Sequence, residues 1–509
     1  MSKRIKAIIF ALIPLLVGIM YAALQGTTIS KINSYAAQLP QWCDEMYYYL
    51  QIESMVKNGQ PLGYFGYNES FAAIGALGAW SVFAMYPYVL LGKVFGINPQ
   101  NMIYFNILYL MIGFYIFYRL AKPNKNQIIK IVLMYMAIPL FSRYMLSGMT
   151  ESLFLGAMIT IAGFTIYFQR EEYTRVTIFL CYAVVIYASW ARPYILAFSL
   201  IPLYYQWKKD WKESILTFVS LMLVFAGVYI FFVQPRCAGY LEEVIDFSMF
   251  SNLFENGPIE FLKQVVYTFV MDGKTLLSYF SNNVQEIMIP YQIIIALFSI
   301  LIILCVSKIF QQKRIKDDKD ANMLLSLAII LIIGIAMILL YVEYTSARHM
   351  VSLAIFLVFV VAMYFNINRS FFCMLGIGIL FIIGWKSVNS LDMIYRLPTI
   401  NNEFETLPIE ADARKLENIF EPLKTNSKWD NTVAYEYSVI NMNYCYFLPD
   451  LAGVNICDSN YIDNNYNTLK CKYLMVENAN DRIEKYVESG WIVLEKGEHF
   501  CFLENGVLN

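Results

Sequence analysis

Trp42-Cys43-Asp44-Glu45-Met46-Tyr47-Tyr48-Tyr49 sets two adjacent carboxylates among aromatics, just after the first apolar run of the chain. Upstream, Lys3-Arg4-Ile5-Lys6 leads into an apolar stretch that ends near Leu24. That stretch is long enough to cross a ~30 Å hydrocarbon core, and no small-residue cleavage site follows it. It reads as a retained first helix with its basic end in the cytoplasm. The acidic pair then falls on the far side of the membrane, at the head of a long polar loop.

The rest of the chain has the composition of a polytopic membrane protein. Its 509 residues are 58% hydrophobic, 17% aromatic and only 15% charged, with a mean hydropathy of +0.50, far from a soluble average. A formal net charge of −1 argues against nucleic acid as a partner, which would require a basic face. Two histidines, His349 and His499, exclude a histidine-rich metal site.

Apolar length and Lys/Arg placement predict about eleven transmembrane helices. After the first come spans at 102–120, 128–146, 152–168, 174–190, 194–207, 214–233, 287–307, 323–342, 350–366 and 371–388. The first long loop covers 25–100 and the second 235–286. Residues 71–92 carry no charge and have the length of a span. Counting them as one would place the basic clusters around Arg119, Lys208 and 311–319 outside, against the positive-inside rule. They read instead as in-plane or re-entrant. The membrane part is therefore 1–389, and 390–509 forms a small extracytoplasmic α/β domain. In that domain Thr432–Tyr437, Lys472–Glu477 and Trp491–Glu495 alternate as strands, and Asn480–Glu488 reads as a helix. Its four cysteines, Cys445, Cys457, Cys471 and Cys501, are compatible with one or two disulfides in an oxidising compartment.

Polar groups collect at the extracytoplasmic ends of the helices. Besides Asp44-Glu45 they include Ser147-Gly148-Met149-Thr150-Glu151-Ser152, Trp190-Ala191-Arg192-Pro193-Tyr194, and Glu343-Tyr344-Thr345-Ser346-Ala347-Arg348-His349. Ionisable groups near membrane depth are costly and line cavities or pathways. Carboxylates and guanidiniums together suit transfer from a phosphorylated donor. A carboxylate can take the proton of an attacking hydroxyl, and an arginine can neutralise a leaving phosphate. A divalent cation bridging Asp44 or Glu151 to phosphate oxygens can share that role.

This plan resembles the GT-C superfamily of membrane glycosyltransferases, among them protein O-mannosyltransferases and lipid A aminoarabinose transferases. The likeness lies in the basic N-terminus, one span, an acidic pair in a long first loop and a polar C-terminal domain. It implies that Asp44 and Glu45 match the first-loop acidic motif, with the aspartate as base or metal contact. It implies that Glu151 takes the second acidic position, where many relatives carry aspartate, and that Arg348 lies near the donor phosphate. Arg192, Glu69, Tyr344 and His349 are further substrate-binding candidates. The expected partners are a polyprenyl-phosphate sugar, a lipid, glycan or protein acceptor, and membrane lipids. The expected reaction is inverting transfer on the outer side of a bacterial plasma membrane.

Each candidate also has a plainer reading. Asp44-Glu45 suits the cap of a helix from Met46, Glu151 the start of a span, and Arg348 snorkelling to headgroups. A transporter or flippase of lipid-linked glycans is the rival class, but it should show repeated halves and mid-span polar groups. A polymerase of envelope glycans is a nearer alternative.

Overall fold

The computed structural model describes residues 2–24, 43–59, 64–68, 81–170, 173–236, 246, 248–281, 285–312, 318–341, 347–364, 415, 418, 433–436, 454–457, 459–498 and 500–506. Helices α1 (Lys3–Ala11) and α2 (Ile13–Leu24) follow one another as the first apolar span. Helix α3 (Cys43–Asn58) holds the acidic pair, and the short strand β1 (Tyr64–Tyr67) follows it. Next come α4 (Tyr86–Phe95) and the long α5 (Pro99–Ala121). A bent pair, α6 (Lys125–Met136) and α7 (Pro139–Met145), leads to α8 (Glu151–Phe168). Helices α9 (Arg175–Ser189), α10 (Leu200–Lys209) and α11 (Trp211–Val228) continue the bundle. Then follow α12 (Ser248–Glu255), α13 (Pro258–Ser281), α14 (Gln285–Gln312), α15 (Asp318–Leu340) and α16 (Ala347–Tyr364).

Among the described residues five helices are long and apolar enough to cross a membrane, or six if the bent pair is one span. The chain is a multi-pass helical membrane protein. The expected eleventh span, 371–388, lies outside the described residues.

Helix α8 is the central post, with 83% of its apolar window buried. It meets α5 backbone to backbone. A Cβ on Gly113 would sit 2.7 Å from the Gly156 carbonyl oxygen, and one on Gly156 would sit 2.6 Å from that of Tyr109. Only glycine permits that approach, the device by which helices associate where no hydrophobic driving force separates protein from lipid. By contrast α11 and its continuation, Trp211–Arg236, bury none of their apolar window.

Three expectations are corrected. The third span is not one rod but breaks by 75° between α6 and α7. Pro139 lacks the N–H that would continue α6, and it holds Ile138 at φ −121°, ψ 83°, outside the helical region. The stretch 235–286 is not only a loop, since it contains α12 and the 24-residue α13. Charges such as Glu260 and Lys263 in α13 kept its hydropathy below that of a span. The sixth span opens as a 3₁₀ stretch, Pro193–Ser199, before α10 begins. Of the uncharged stretch 71–92, the described part, 81–92, holds a 3₁₀ turn, Val82–Ala84, and most of the ten-residue α4, which runs on to Phe95. At 1.5 Å per residue α4 spans about 15 Å, half of a bilayer core.

The C-terminal residues supply five of the strands of a six-stranded sheet of order β1-β3-β2-β4-β6-β5, with β2 (Val433–Glu436), β3 (Val454–Cys457), β4 (Tyr473–Glu477), β5 (Trp491–Lys496) and β6 (Phe500–Asn505). Helix α17 (Ser459–Asn465) precedes β4, and α18 (Asn480–Glu488) lies between β4 and β5, where the sequence placed a helix. The period of two divides the faces. Leu474, Val476, Cys501 and Leu503 pack with Ile483 and Tyr486 of α18. Tyr473, Met475, Phe500 and Phe502 join the core of the membrane helices instead. The first loop takes part as well, because β1 pairs in parallel with β3, Tyr67 beside Ile456. Cys501 keeps a free thiol, so the four cysteines do not form two disulfides. Burial pushes that thiol up to about 11, and it stays protonated at neutral pH.

Candidate active site

The expected polar hairpins meet at one end of the bundle. Glu45 is buried on the first turn of α3. Its Oε2 accepts the Gly148 N–H at 2.8 Å. Gly148 packs so tightly there that a Cβ would lie 3.1 Å from Glu45 Oε2 and 3.3 Å from its Cβ. Asn106 of α5 holds the same corner from behind, donating to the carbonyls of Ser147 and Met149 at 2.7 and 2.8 Å. Tyr88 of α4 donates in turn to Asn106 Oδ1 at 2.5 Å. Three elements, α3, α4 and α5, thus fix the turn from which α8 starts.

Glu151 opens α8, where the helix N-terminus favours a negative charge. Its Oε1 is 2.7 Å from Arg192 Nη2, and the two side chains are 1% and 3% exposed. Arg192 also meets His349 Nδ1 through Nη1 at 3.0 Å. A guanidinium only donates, so His349 Nδ1 is the acceptor and the ring proton sits on Nε2. Phe154 lies under the guanidinium, 5.3 Å from ring centroid to Cζ. Tyr194 donates its hydroxyl to the His349 carbonyl at 3.0 Å, and its backbone N–H donates to the Tyr341 hydroxyl oxygen at 3.2 Å. Three hairpins expected to face one another do so through Glu151, Arg192 and His349. Arg348 is partly exposed, and its charge is felt by both Arg192 and His349.

Not every polar atom is used. Glu151 Oε2, Thr150 Oγ1 and Ser152 Oγ are buried without a hydrogen-bond partner among the described residues. Buried polar atoms are normally satisfied, so three in consecutive residues mark a place built to receive polar groups. Glu151 keeps one oxygen for Arg192 and presents the other.

The remaining candidates are placed less fully. Asp44 lies in α3 beside Glu45, with its backbone described. Glu69 and Tyr344 lie outside the described residues. For a metal, no group of three His, Cys, Asp or Glu converges among the described residues. Glu151 Oε1 is engaged by the Arg192 guanidinium. Sequence reasoning did not find Asn106 or Tyr88, whose polar groups sit within apolar runs. An asparagine inside a span is the signal that could have found the first.

No family model matches this chain, and no curated protein sequence does. Among solved structures, ArnT from Cupriavidus metallidurans bound to undecaprenyl phosphate aligns over 98% of this chain and 97% of its own, with a TM-score of 0.52 and 11% identity. The Archaeoglobus fulgidus oligosaccharyltransferase complex with Zn and sulfate aligns over 94% of this chain and 68% of its own, with a TM-score of 0.47 and 11% identity. ArnT is an aminoarabinose transferase, and the match extends through the membrane helices and the C-terminal sheet alike. The chain shares the fold of ArnT over nearly its whole length.

Proposed function

We propose that this chain is an integral-membrane glycosyltransferase that moves one sugar from a polyprenyl-phosphate donor to a lipid, glycan or protein acceptor. The reaction takes place on the extracytoplasmic side, by inverting displacement. One observation carries the reading: a buried Glu151 holds one oxygen on Arg192 and leaves the other unpartnered, beside a turn that Glu45 ties to the helix of Asp44. The fold shared with ArnT bound to undecaprenyl phosphate supports a lipid-linked donor.

In this mechanism Asp44 takes the proton of the acceptor hydroxyl, whose oxygen attacks the anomeric carbon from the face opposite the phosphate. The bond from that carbon to the phosphate oxygen breaks, and its electron pair leaves on the polyprenyl phosphate. Arg348, the more exposed of the two arginines, holds that phosphate and gains strength as its charge grows. Glu151 Oε2 accepts a hydroxyl of the bound sugar. Arg192 is a positioning residue, since its Nη atoms are engaged by Glu151 and His349. Glu69 and Tyr344 are assigned to substrate contacts, and the C-terminal 390–509 to the same extracytoplasmic side.

The test is transfer from a panel of polyprenyl-phosphate sugars by membranes with and without the protein. Labelled product that requires the protein and vanishes with Asp44→Asn supports the reading. Translocation of labelled donor across sealed vesicles without transfer would instead make the chain a transporter.

A further inference from the structure

We propose that the cavity among α9, α10 and α11, at the end of the bundle remote from Glu151, is a headgroup site for a zwitterionic aminophospholipid. The fifteen residues of α9 separate Arg175, at its start, from the Arg192 corner by roughly 22 Å of helix. The cavity measures about 510 Å³, with Arg175, Lys209, Asp210 and Glu213 among its lining residues, and Ile178 and Leu221 supplying apolar wall. That is the size of a small-molecule pocket.

Its surroundings identify the bilayer interface. Trp207 and Trp211 are each 52% exposed, and Phe179 and Leu216 stand out further along α9 and α11. Exposed tryptophans beside Lys208, Lys209 and Lys212 mark headgroup depth, with aliphatic surface running on into lipid. A phospholipid can place its headgroup in the cavity and one acyl chain along Ile178 and Leu221.

The charges specify the headgroup. Two cations and two carboxylates line the mouth, so they sum to zero. Arg175 Nη2 and Glu213 Oε2 are 3.1 Å apart. Lys209 Nζ donates to the Tyr173 carbonyl at 2.8 Å and lies 4.1 Å from that ring's centroid. Asp210 Oδ1 accepts the backbone N–H groups of Lys212 and Glu213 at 2.9 and 3.2 Å, the cap of α11. A lone phosphate would meet two carboxylates there, and a lone amine two cations. A headgroup carrying both can set its phosphate against Arg175 and Lys209 and its ammonium against Glu213 and Asp210. An ethanolamine ammonium has three N–H donors for those carboxylates, whereas a choline has none.

Native mass spectrometry of the full-length protein in detergent, given an equimolar mixture of phosphatidylethanolamine, phosphatidylcholine and phosphatidylglycerol with matched acyl chains, tests this directly. Retained phosphatidylethanolamine should exceed each of the others by roughly tenfold, the scale of one charge-assisted bond. Glu213→Gln should bring its ratio to phosphatidylcholine down several-fold, and Arg175→Gln should reduce retention of all three. Both residues are exposed enough that the variants should melt with the parent in lipid-free detergent. Equal retention of the three lipids, a preference for phosphatidylglycerol, or an ethanolamine preference unchanged by Glu213→Gln would overturn the site.

Discussion

Two arginine–glutamate pairs sit at opposite ends of the same part of the bundle. Glu151–Arg192 is 2.7 Å long and almost wholly buried. Arg175–Glu213 is 3.1 Å long, with side chains 88% and 36% exposed. The chemistry is the same and the physical situation is opposite. A buried pair is bound to its geometry, because separating it leaves a bare charge in a poorly polarisable medium. An exposed pair exchanges with water at little cost. The buried pair can therefore hold a reactive arrangement in place, while the exposed one can open to admit a ligand.

The contrast breaks first on activity. Asp44→Asn keeps size and some hydrogen bonding but cannot take a proton, so transfer should fall by ~10²–10⁴ while the protein stays inserted and folded. Arg175→Gln, at the other end, should leave turnover unchanged. Initial rates at equal protein level check both. Near-normal turnover in Asp44→Asn would reduce that residue to a loop or capping role.

Stability should break it next. Arg192→Ala leaves Glu151 buried without its cation and removes the donor to His349 Nδ1. The expected loss is ~3–5 kcal/mol, read as a lowered midpoint in detergent unfolding. Arg192→Ala combined with Glu151→Ala should recover part of that loss. A single variant that melts with the parent would show that the pair does not anchor the hairpins.

A smaller effect sharpens the site end alone. Gly148→Ala places a methyl 3.1 Å from Glu45 Oε2 and 3.3 Å from Glu45 Cβ, which requires the carboxylate and the corner to part. About 1–3 kcal/mol of stability should go. Because Glu45 sits next to Asp44, kcat should fall with it, and a loss of stability with kcat intact would separate the corner from the chemistry.

How far these regions were legible in the sequence differs for the same reason. Apolar runs such as Pro99–Ala121 and Glu151–Phe168 announce themselves, since lipid demands unbroken hydrophobic length. The amphipathic Asn480–Glu488 was equally plain, burying Ile483 and Tyr486 three residues apart. The hairpins were legible as polar corners, and their shared end followed from counting spans. Their partnerships were not. Arg192 reaches Glu151 across 41 residues and His349 across 157, and local pattern carries no information over such distances. The strand Tyr64–Tyr67 was missed because four residues, one of them glycine, show too little alternation. The break at Ile138 was written in Pro139 and overridden by the hydropathy around it.

The smallest effect concerns the exposed pair and tests the contrast most cleanly. In a double-mutant cycle on Arg175→Gln and Glu213→Gln, the coupling energy in lipid-free detergent should be ~0.2–1 kcal/mol. It should shrink further as salt rises, because at 1 M the screening length is about 3 Å, comparable with the separation of the pair. The matching cycle on Glu151→Gln and Arg192→Gln should give a coupling several times larger and nearly insensitive to salt, since ions do not enter that corner. Unfolding midpoints of the four proteins of each cycle, at low and high salt, supply both numbers. Equal couplings would mean that burial does not distinguish the two pairs, and the argument that one fixes geometry while the other opens would fail with it. A salt-insensitive Arg175–Glu213 coupling would fail it in a narrower way, by showing that the cavity beside α11 is already closed to the solvent.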